Sequence, residues 1–184
     1  MKSLIRPLLV VALPFAVAAC GSILPGSGAS TSVTTDIPSA IAAPSGATLA
    51  VTLKASGLQN YECRAKAGAP GGYDWVFVAP EAVLKDQSDA IVGRHFGGPT
   101  WEYGDGSKVS GKTLATAAAP QAGNIPWELL KGTAAGTPGV LSGVTFVQRI
   151  HTIGGTAPSD NCSAATAATR KGVRYSADYL FYKS

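Results

Sequence analysis

A chain of 184 residues with 22 Gly, 12 Pro and only 14% charged residues excludes a coiled coil, and 46% hydrophobic residues exclude a wholly disordered chain. The formal net charge is +4, but the basic residues are scattered and form no run that would track phosphates, so nucleic acid is not a partner this sequence supports. No late apolar run is long enough to cross a bilayer, and one compact domain is the default for this length.

Residues 1–19 have the layout of an export signal: basic Lys2 and Arg6, an apolar stretch at 8–17 broken by Pro14, then the small residues Ala18 and Ala19. The run Val17-Ala18-Ala19-Cys20-Gly21 resembles the lipobox of bacterial lipoproteins, whose cysteine receives a diacylglyceryl group and becomes the first residue after cleavage. That resemblance implies a lipid on Cys20 and a membrane as partner. Gly21, rather than Asp, after the cysteine resembles the sorting preference for the outer membrane. The alternative is an ordinary secretory signal cut near Ala19. Losing Lys2 and Arg6 with the signal lowers the net charge to +2. Cys63 and Cys162 then remain in an oxidising compartment, which predicts a disulfide between them. It would close a loop of about 100 residues, worth up to ~4.7 kcal/mol in the chain-entropy model.

Residues 20–44 are mostly Gly, Ser, Thr, Ala and Pro, with one charge, Asp36, and no aromatic residue, which reads as a flexible tether. Every aromatic residue except Phe15 lies at or beyond Tyr61, so the packed domain is assigned to 45–184, its start falling between Ile37 and Thr48. Gly26-Ser27-Gly28 lies in the tether with no strand before it and is spacer, not a dinucleotide fingerprint.

Beyond the tether, short segments alternate with period two between Gly and Pro punctuation, as half-buried strands do. Leu49, Val51 and Leu53 form one face of the first; Tyr61, Cys63 and Ala65 alternate with Asn60, Glu62, Arg64 and Lys66, which turns Cys63 toward the core. Tyr73, Trp75 and Phe77, with Val76 and Val78 behind them, predict a central strand apolar on both sides. Further strands are expected over 90–96, 108–114, 127–131, 144–151 and 174–182. The Ala-rich piece 163–171, with Asp160 and Asn161 before it and Gly172 as a stop, predicts one short helix. The expected fold is all-β: a single-domain sandwich or closed barrel of short antiparallel strands with one short helix and one disulfide.

Several motifs in order resemble the family known as domain of unknown function 3455, found in exported bacterial proteins and in fungal ones. The carriers include Gly57-Leu58-Gln59-Asn60-Tyr61-Glu62-Cys63, Ala79-Pro80-Glu81-Ala82, Gly93-Arg94-His95-Phe96-Gly97-Gly98-Pro99-Thr100-Trp101, Asp105-Gly106-Ser107, Ile125-Pro126-Trp127, Gln148-Arg149, Cys162 and Ala177-Asp178-Tyr179. The resemblance runs from Ile37 to Tyr182. Asn60 and Glu128 stand where an apolar residue is expected, and Arg174 where proline is. The resemblance implies no activity. A malate dehydrogenase label attached to some fungal members does not fit a chain without a Gly-rich strand-to-helix turn or alternating βαβ units.

No decisive reaction signature is present and no cofactor is implied. His95 and His151, the only histidines, with Asp105 or Glu102 would make a weak metal set at undiagnostic spacing, and hydrogen bonding at loops is the simpler reading. Ser107 with His95 and Asp105 is the nearest grouping to a hydrolytic triad, but Asp105-Gly106-Ser107 reads better as a hairpin turn. The densest cluster is His95, Phe96, Trp101, Glu102 and Asp105 around a Gly-Gly-Pro turn, a candidate ligand surface with Trp101 stacking on a sugar or peptide. Arg149 and His151, two apart on one strand, are expected on one face, paired with Asp178 or Glu62. Tyr175, Tyr179, Phe181 and Tyr182 are expected to close the core with their hydroxyls at the rim. These readings together describe a lipid-anchored envelope protein, a binding module for an extracytoplasmic ligand such as a carbohydrate, or a structural envelope protein. The rival is an enzyme, such as a hydrolase, using His95 with Asp105 or Glu102. An enzyme requires His95 to meet a carboxylate in a pocket; a surface binder requires Trp101 exposed.

Overall fold

The structure, a computed structural model, describes residues 37–184; the expected signal, Cys20 and the tether up to residue 36 lie outside the described residues. Eight strands follow one another: β1 (Thr48–Ala65), β2 (Tyr73–Lys85), β3 (Ile91–Phe96), β4 (Thr100–Tyr103), β5 (Ser107–Ala117), β6 (Trp127–Gly136), β7 (Val144–Gly154) and β8 (Arg170–Lys183). Each pairs antiparallel with the next, and β8 returns to β1, so the sheet closes as a barrel rather than a sandwich. β4 escapes a periodicity search because four residues behind a Gly-Gly-Pro turn are too few to display a period. Three strands are long, β1 at 18, β2 at 13 and β8 at 14 residues, and β1 joins into one strand the two segments that the alternation separated.

Alternation decides which side chains fill the barrel. In β8, Tyr175, Ala177, Tyr179 and Phe181 are buried inside while Ser176, Asp178 and Leu180 face out. Leu53 and Ala55 of β1, Ala82 and Leu84 of β2, Trp101 of β4, Val109 of β5, Leu130 of β6 and Val147 of β7 meet them in one core. An eight-stranded barrel has an interior just wide enough for side chains, so large residues must face small ones. Gly111 shows this directly: a Cβ there would lie 2.9 Å from the Trp101 ring and from Leu130 Cδ2.

A second apolar cluster lies on the outer wall, where Trp127, Leu129 and Ile150 pack against Ile41 of a 3-10 turn, Ser39–Ile41. Gln148 Nε2 donates to the Ile41 carbonyl at 2.6 Å, and Tyr182 donates to Gln148 Oε1 at 3.2 Å. Residues 37–41, which composition placed in the tether, therefore belong to the packed unit. Elsewhere the outer wall carries ion pairs such as Arg94–Glu102–Lys108 and Glu62–Arg170. No helix among the described residues is long and apolar enough to cross a membrane.

Cys63 and Cys162 form the expected disulfide, with Cα atoms 5.4 Å apart. The helix expected over 163–171 is a single 3-10 turn, Ala164–Thr166, because Arg170 and Lys171 are drawn into β8 opposite Glu62 and Tyr61. Tertiary pairing there overrides alanine's helix propensity. The strand expected to be apolar on both sides is not covered on both: Val76 is exposed and Phe77 is 49% exposed, since the bulge facing Asn60 and Tyr61 carries this end of β2 to the rim. The outer cluster gives a direct test. Ile41→Ala should cost about 2–5 kcal/mol in urea unfolding, while Ile91→Ala, at an exposed position, should stay within about 0.5 kcal/mol. Equal, small effects would show that residues 37–41 are not part of the folded unit.

Candidate functional site

In an up-and-down barrel, the β2–β3, β4–β5 and β6–β7 connections share one end and the remaining four connections share the other. The first end is closed. Leu141, from the β6–β7 connection, is fully buried in the core, and its N–H donates to Ser107 Oγ at 3.0 Å. Asp105 anchors this closure: Oδ1 accepts from the Ser107 N–H and hydroxyl at 2.9 and 2.6 Å, and Oδ2 accepts from the Val140 N–H at 2.8 Å. The Ser107 hydroxyl, followed by the Val140 and Ser107 N–H groups, holds the Asp105 carboxyl below the usual carboxylate range.

The second end is open. A cavity of about 480 Å³ descends from the mouth between Phe77, Val78, Pro80, Pro99 and Ile125 to a polar floor. Trp101 is 1% exposed and stacks on His95, ring centroids 4.5 Å apart at 4°, while Tyr179 meets both rings edge-on. His95 Nδ1 lies 2.9 Å from the Thr100 carbonyl, which accepts only from a protonated nitrogen, so the neutral ring keeps its lone pair on Nε2. Burial is the main cause that pushes the His95 pKa down to about 4; the Thr100 bond opposes it and the Arg149 charge adds to it. His95 is therefore uncharged at neutral pH.

Beside this stack a charged pair crosses the wall. Arg149 Nη2 lies 3.1 Å from Glu128 Oε2, Arg149 Nε and Nη2 donate to the Pro126 carbonyl at 3.1 and 2.8 Å, and Thr113 donates to Glu128 Oε1 at 2.8 Å. Four buried side-chain atoms among the described residues have no hydrogen-bond partner: Trp101 Nε1, Trp127 Nε1, Tyr175 OH and Tyr179 OH. Two of these side chains, Trp101 and Tyr179, line the cavity. Burial raises the Tyr179 pKa, keeping its hydroxyl protonated.

The rim is fastened by several bonds. Tyr61 donates to the Gly155 carbonyl at 2.6 Å and Trp75 Nε1 to the Asp160 carbonyl at 2.7 Å, while the Cys63–Cys162 disulfide ties the β7–β8 connection to β1. The mouth is thus bordered by pinned loops.

Of the five residues singled out around the Gly-Gly-Pro turn, the barrel brings two together. His95 and Trp101 are cross-strand partners facing inward. Phe96 and Glu102 have the opposite parity and face out, Phe96 beneath Arg94 and Glu102 accepting from Arg94 Nε and Nη2 at 3.1 and 2.8 Å. Asp105 sits at the closed end. The expected pairings of His95 with Glu102 or Asp105 are therefore not assembled, and Trp101, covered by His95, offers no exposed face for a sugar. Arg149 and His151 also part company. His151 takes a left-handed conformation (φ +50°) at an irregularity in β7, which turns it outward to bond Asp178 at 2.8 Å while Arg149 points in. The two histidines thus lie on opposite faces, and no cluster of three or more His, Cys, Asp or Glu among the described residues is placed to hold a metal ion. Tyr175 and Tyr179 bury their hydroxyls rather than bringing them to the rim; Tyr182 lies outside.

Residues 44–183 match a family described as protein of unknown function (DUF3455). The chain belongs to this family. The family match takes in all eight strands and every residue lining the cavity, from Gln59 to Tyr179. No curated protein and no solved structure matches the chain. Sequence reasoning passed over Glu128, Gln59 and Tyr179 as site residues and treated Arg149 as a purely structural ion-pair partner. A signal was present for Glu128, which shares parity with Leu130 and Gly132 and so places a carboxylate on a core-facing row.

The His95 environment has a pH signature. Between pH 6.5 and about 4 the unfolded chain binds a proton at this ring and the folded chain does not, so its contribution is complete above pH 6.5 and is lost as pH falls toward 4. The loss amounts to about 3 kcal/mol. Urea unfolding at pH 7 and pH 4.5 should show a steeper fall for the native chain than for His95→Gln; parallel falls would mean that His95 protonates freely in the folded state.

Proposed function

We propose that the protein is an exported envelope lipoprotein whose barrel is a non-enzymatic cup, binding a small extracytoplasmic ligand through its open mouth. The observation that carries this reading is the asymmetry of the barrel interior: one end is packed to exclusion of solvent, and the other opens into a cavity of about 480 Å³. Small-molecule sites have this size, a mostly apolar wall and a few convergent polar groups. Arg149, Glu128 and Gln59 supply the polar groups of this wall. Export and lipid attachment at Cys20 rest on the signal layout and the lipobox-like run, and the residues that follow would hold the cup off the membrane surface.

Two experiments test the two halves of this reading. Thr113→Trp places a bulky ring in the cavity wall and removes the Thr113–Glu128 bond, so it should lower the unliganded melting temperature by a few degrees and abolish ligand-induced thermal stabilisation measured from that baseline. Ligand-induced stabilisation that survives this variant argues for a site elsewhere. Cys20→Ser should move the protein from the membrane fraction to the soluble fraction; retained membrane attachment would point to an uncleaved anchor.

A further inference from the structure

We infer that the ligand of this cup is an uncharged, largely apolar molecule bearing an O–H or N–H group, which it donates to His95 Nε2. This rests on the reading of the cavity as a binding site and adds the chemistry of what enters it.

A polar group that receives a ligand must be both open and unspent. The Trp101 and Tyr179 donors are sealed from solvent and out of reach. Gln59 and His95 differ. Each is only 3% exposed, and each lines the cavity. No group among the described residues bonds to the Gln59 amide or to His95 Nε2, yet neither belongs to the sealed set, so the little surface they keep is surface of the cavity. Buried polar groups in folded proteins are nearly always bonded, and two unspent ones opening into the same cavity mark where the polar atoms of a ligand go.

The two groups select differently. The Gln59 amide carries both a carbonyl and an NH2 and accommodates either kind of partner. His95 Nδ1–H is spent on the Thr100 carbonyl at 2.9 Å, which fixes the tautomer and leaves Nε2 able only to accept. The ligand atom that faces it must therefore bear a hydrogen. A ligand that covers Nε2 without donating removes it from solvent unpaired, and that costs more than one good bond gains. A carboxylate fails twice, because it has no hydrogen to give and because Arg149 is already paired with Glu128 at 3.1 Å. An ammonium can donate, but it brings a charge that Glu128, tied to Arg149 and Thr113, does not balance. The remaining wall, Phe77, Val78, Pro80, Pro99 and Ile125, is apolar and suits a hydrocarbon body rather than a polyol.

Matched probes isolate the donor. 2-Naphthol, 2-methoxynaphthalene, naphthalene and 2-naphthoate share one ring system, and of the four only 2-naphthol is an uncharged donor at pH 7. Isothermal titration of the Cys20→Ser chain at that pH should show 2-naphthol binding about tenfold more tightly than each of the others. His95→Phe keeps a ring to lie on Trp101 and removes the lone pair, so the ratio of 2-naphthol to naphthalene affinity, taken on that one variant, should fall to about one. A second measurement needs no variant. In proton–nitrogen correlation NMR of the imidazoles, the His95 Nε2 resonance should move upfield with 2-naphthol and stay in place with 2-methoxynaphthalene, with His151, the other histidine of the chain, as internal reference. Naphthalene or 2-naphthoate binding as tightly as 2-naphthol, a ratio unchanged by His95→Phe, an unmoved Nε2 resonance, or no binding of any probe would each overturn the inference. Thr113→Trp distinguishes the two levels: if it blocks whichever probe binds, the cup stands even where the ligand class fails, and if it blocks none, the cup itself fails.

Discussion

Closure of the sheet is the constraint from which the other features follow. Once β8 hydrogen-bonds to β1, every inward side chain competes for one narrow volume, and the chain must match large rings with small neighbours. Trp101, Tyr179 and Phe181 fill the middle, Gly111 gives way to Trp101, and Leu141 closes one end from a loop rather than a strand. Among the described residues, Ile125 reaches in from a loop at the other end, and it lines the cavity rather than closing it. The strands there run past the packed layers to reach the disulfide and the β7–β8 connection, and the space between their walls is the cavity.

Inside such a space polar groups are held to strict terms, because a buried donor or charge without a partner is expensive. The barrel meets them for Arg149 and Glu128 by pairing them across adjacent strands and backing each with a further bond. It meets them for His95 by keeping the ring neutral, with Nδ1–H on a backbone carbonyl and the imidazole flat against Trp101. It does not meet them for Trp101 Nε1 or Tyr179 OH.

The parts of this architecture that were legible in the sequence are those where one strand has one buried face. Of the aromatic residues expected to close the core, Tyr175, Tyr179 and Phe181 lie on the inward row of β8 and Tyr182 does not, and the split around Cys63 turned its thiol toward the core and its partner. The less legible parts are where parity breaks or a second layer is added. Irregularities near Leu114 in β5 and between Ile150 and Ile153 in β7 shift the inward row by one residue, so Arg149 and His151 share a spacing but not a face. Trp127, Leu129 and Ile150 look like core-facing residues and are buried, but against Ile41 on the outer wall, which hides Glu128 between them as an apparent surface charge. His95 and Trp101 were recognisable as a pair of interest, whereas Glu102, one residue from Trp101, goes to the opposite face only once the four residues of β4 are known to be a strand.

Native mass spectrometry of the Cys20→Ser chain, recovered without detergent, is the most direct measurement of whether the open end is a site. A cup of this chemistry should carry a small non-covalent adduct that is released on unfolding and is missing from Thr113→Trp prepared in the same way. Identical bare masses for the two chains, with no adduct regained when a cell extract is added back, would contradict it and make the cavity an unfilled end of the core.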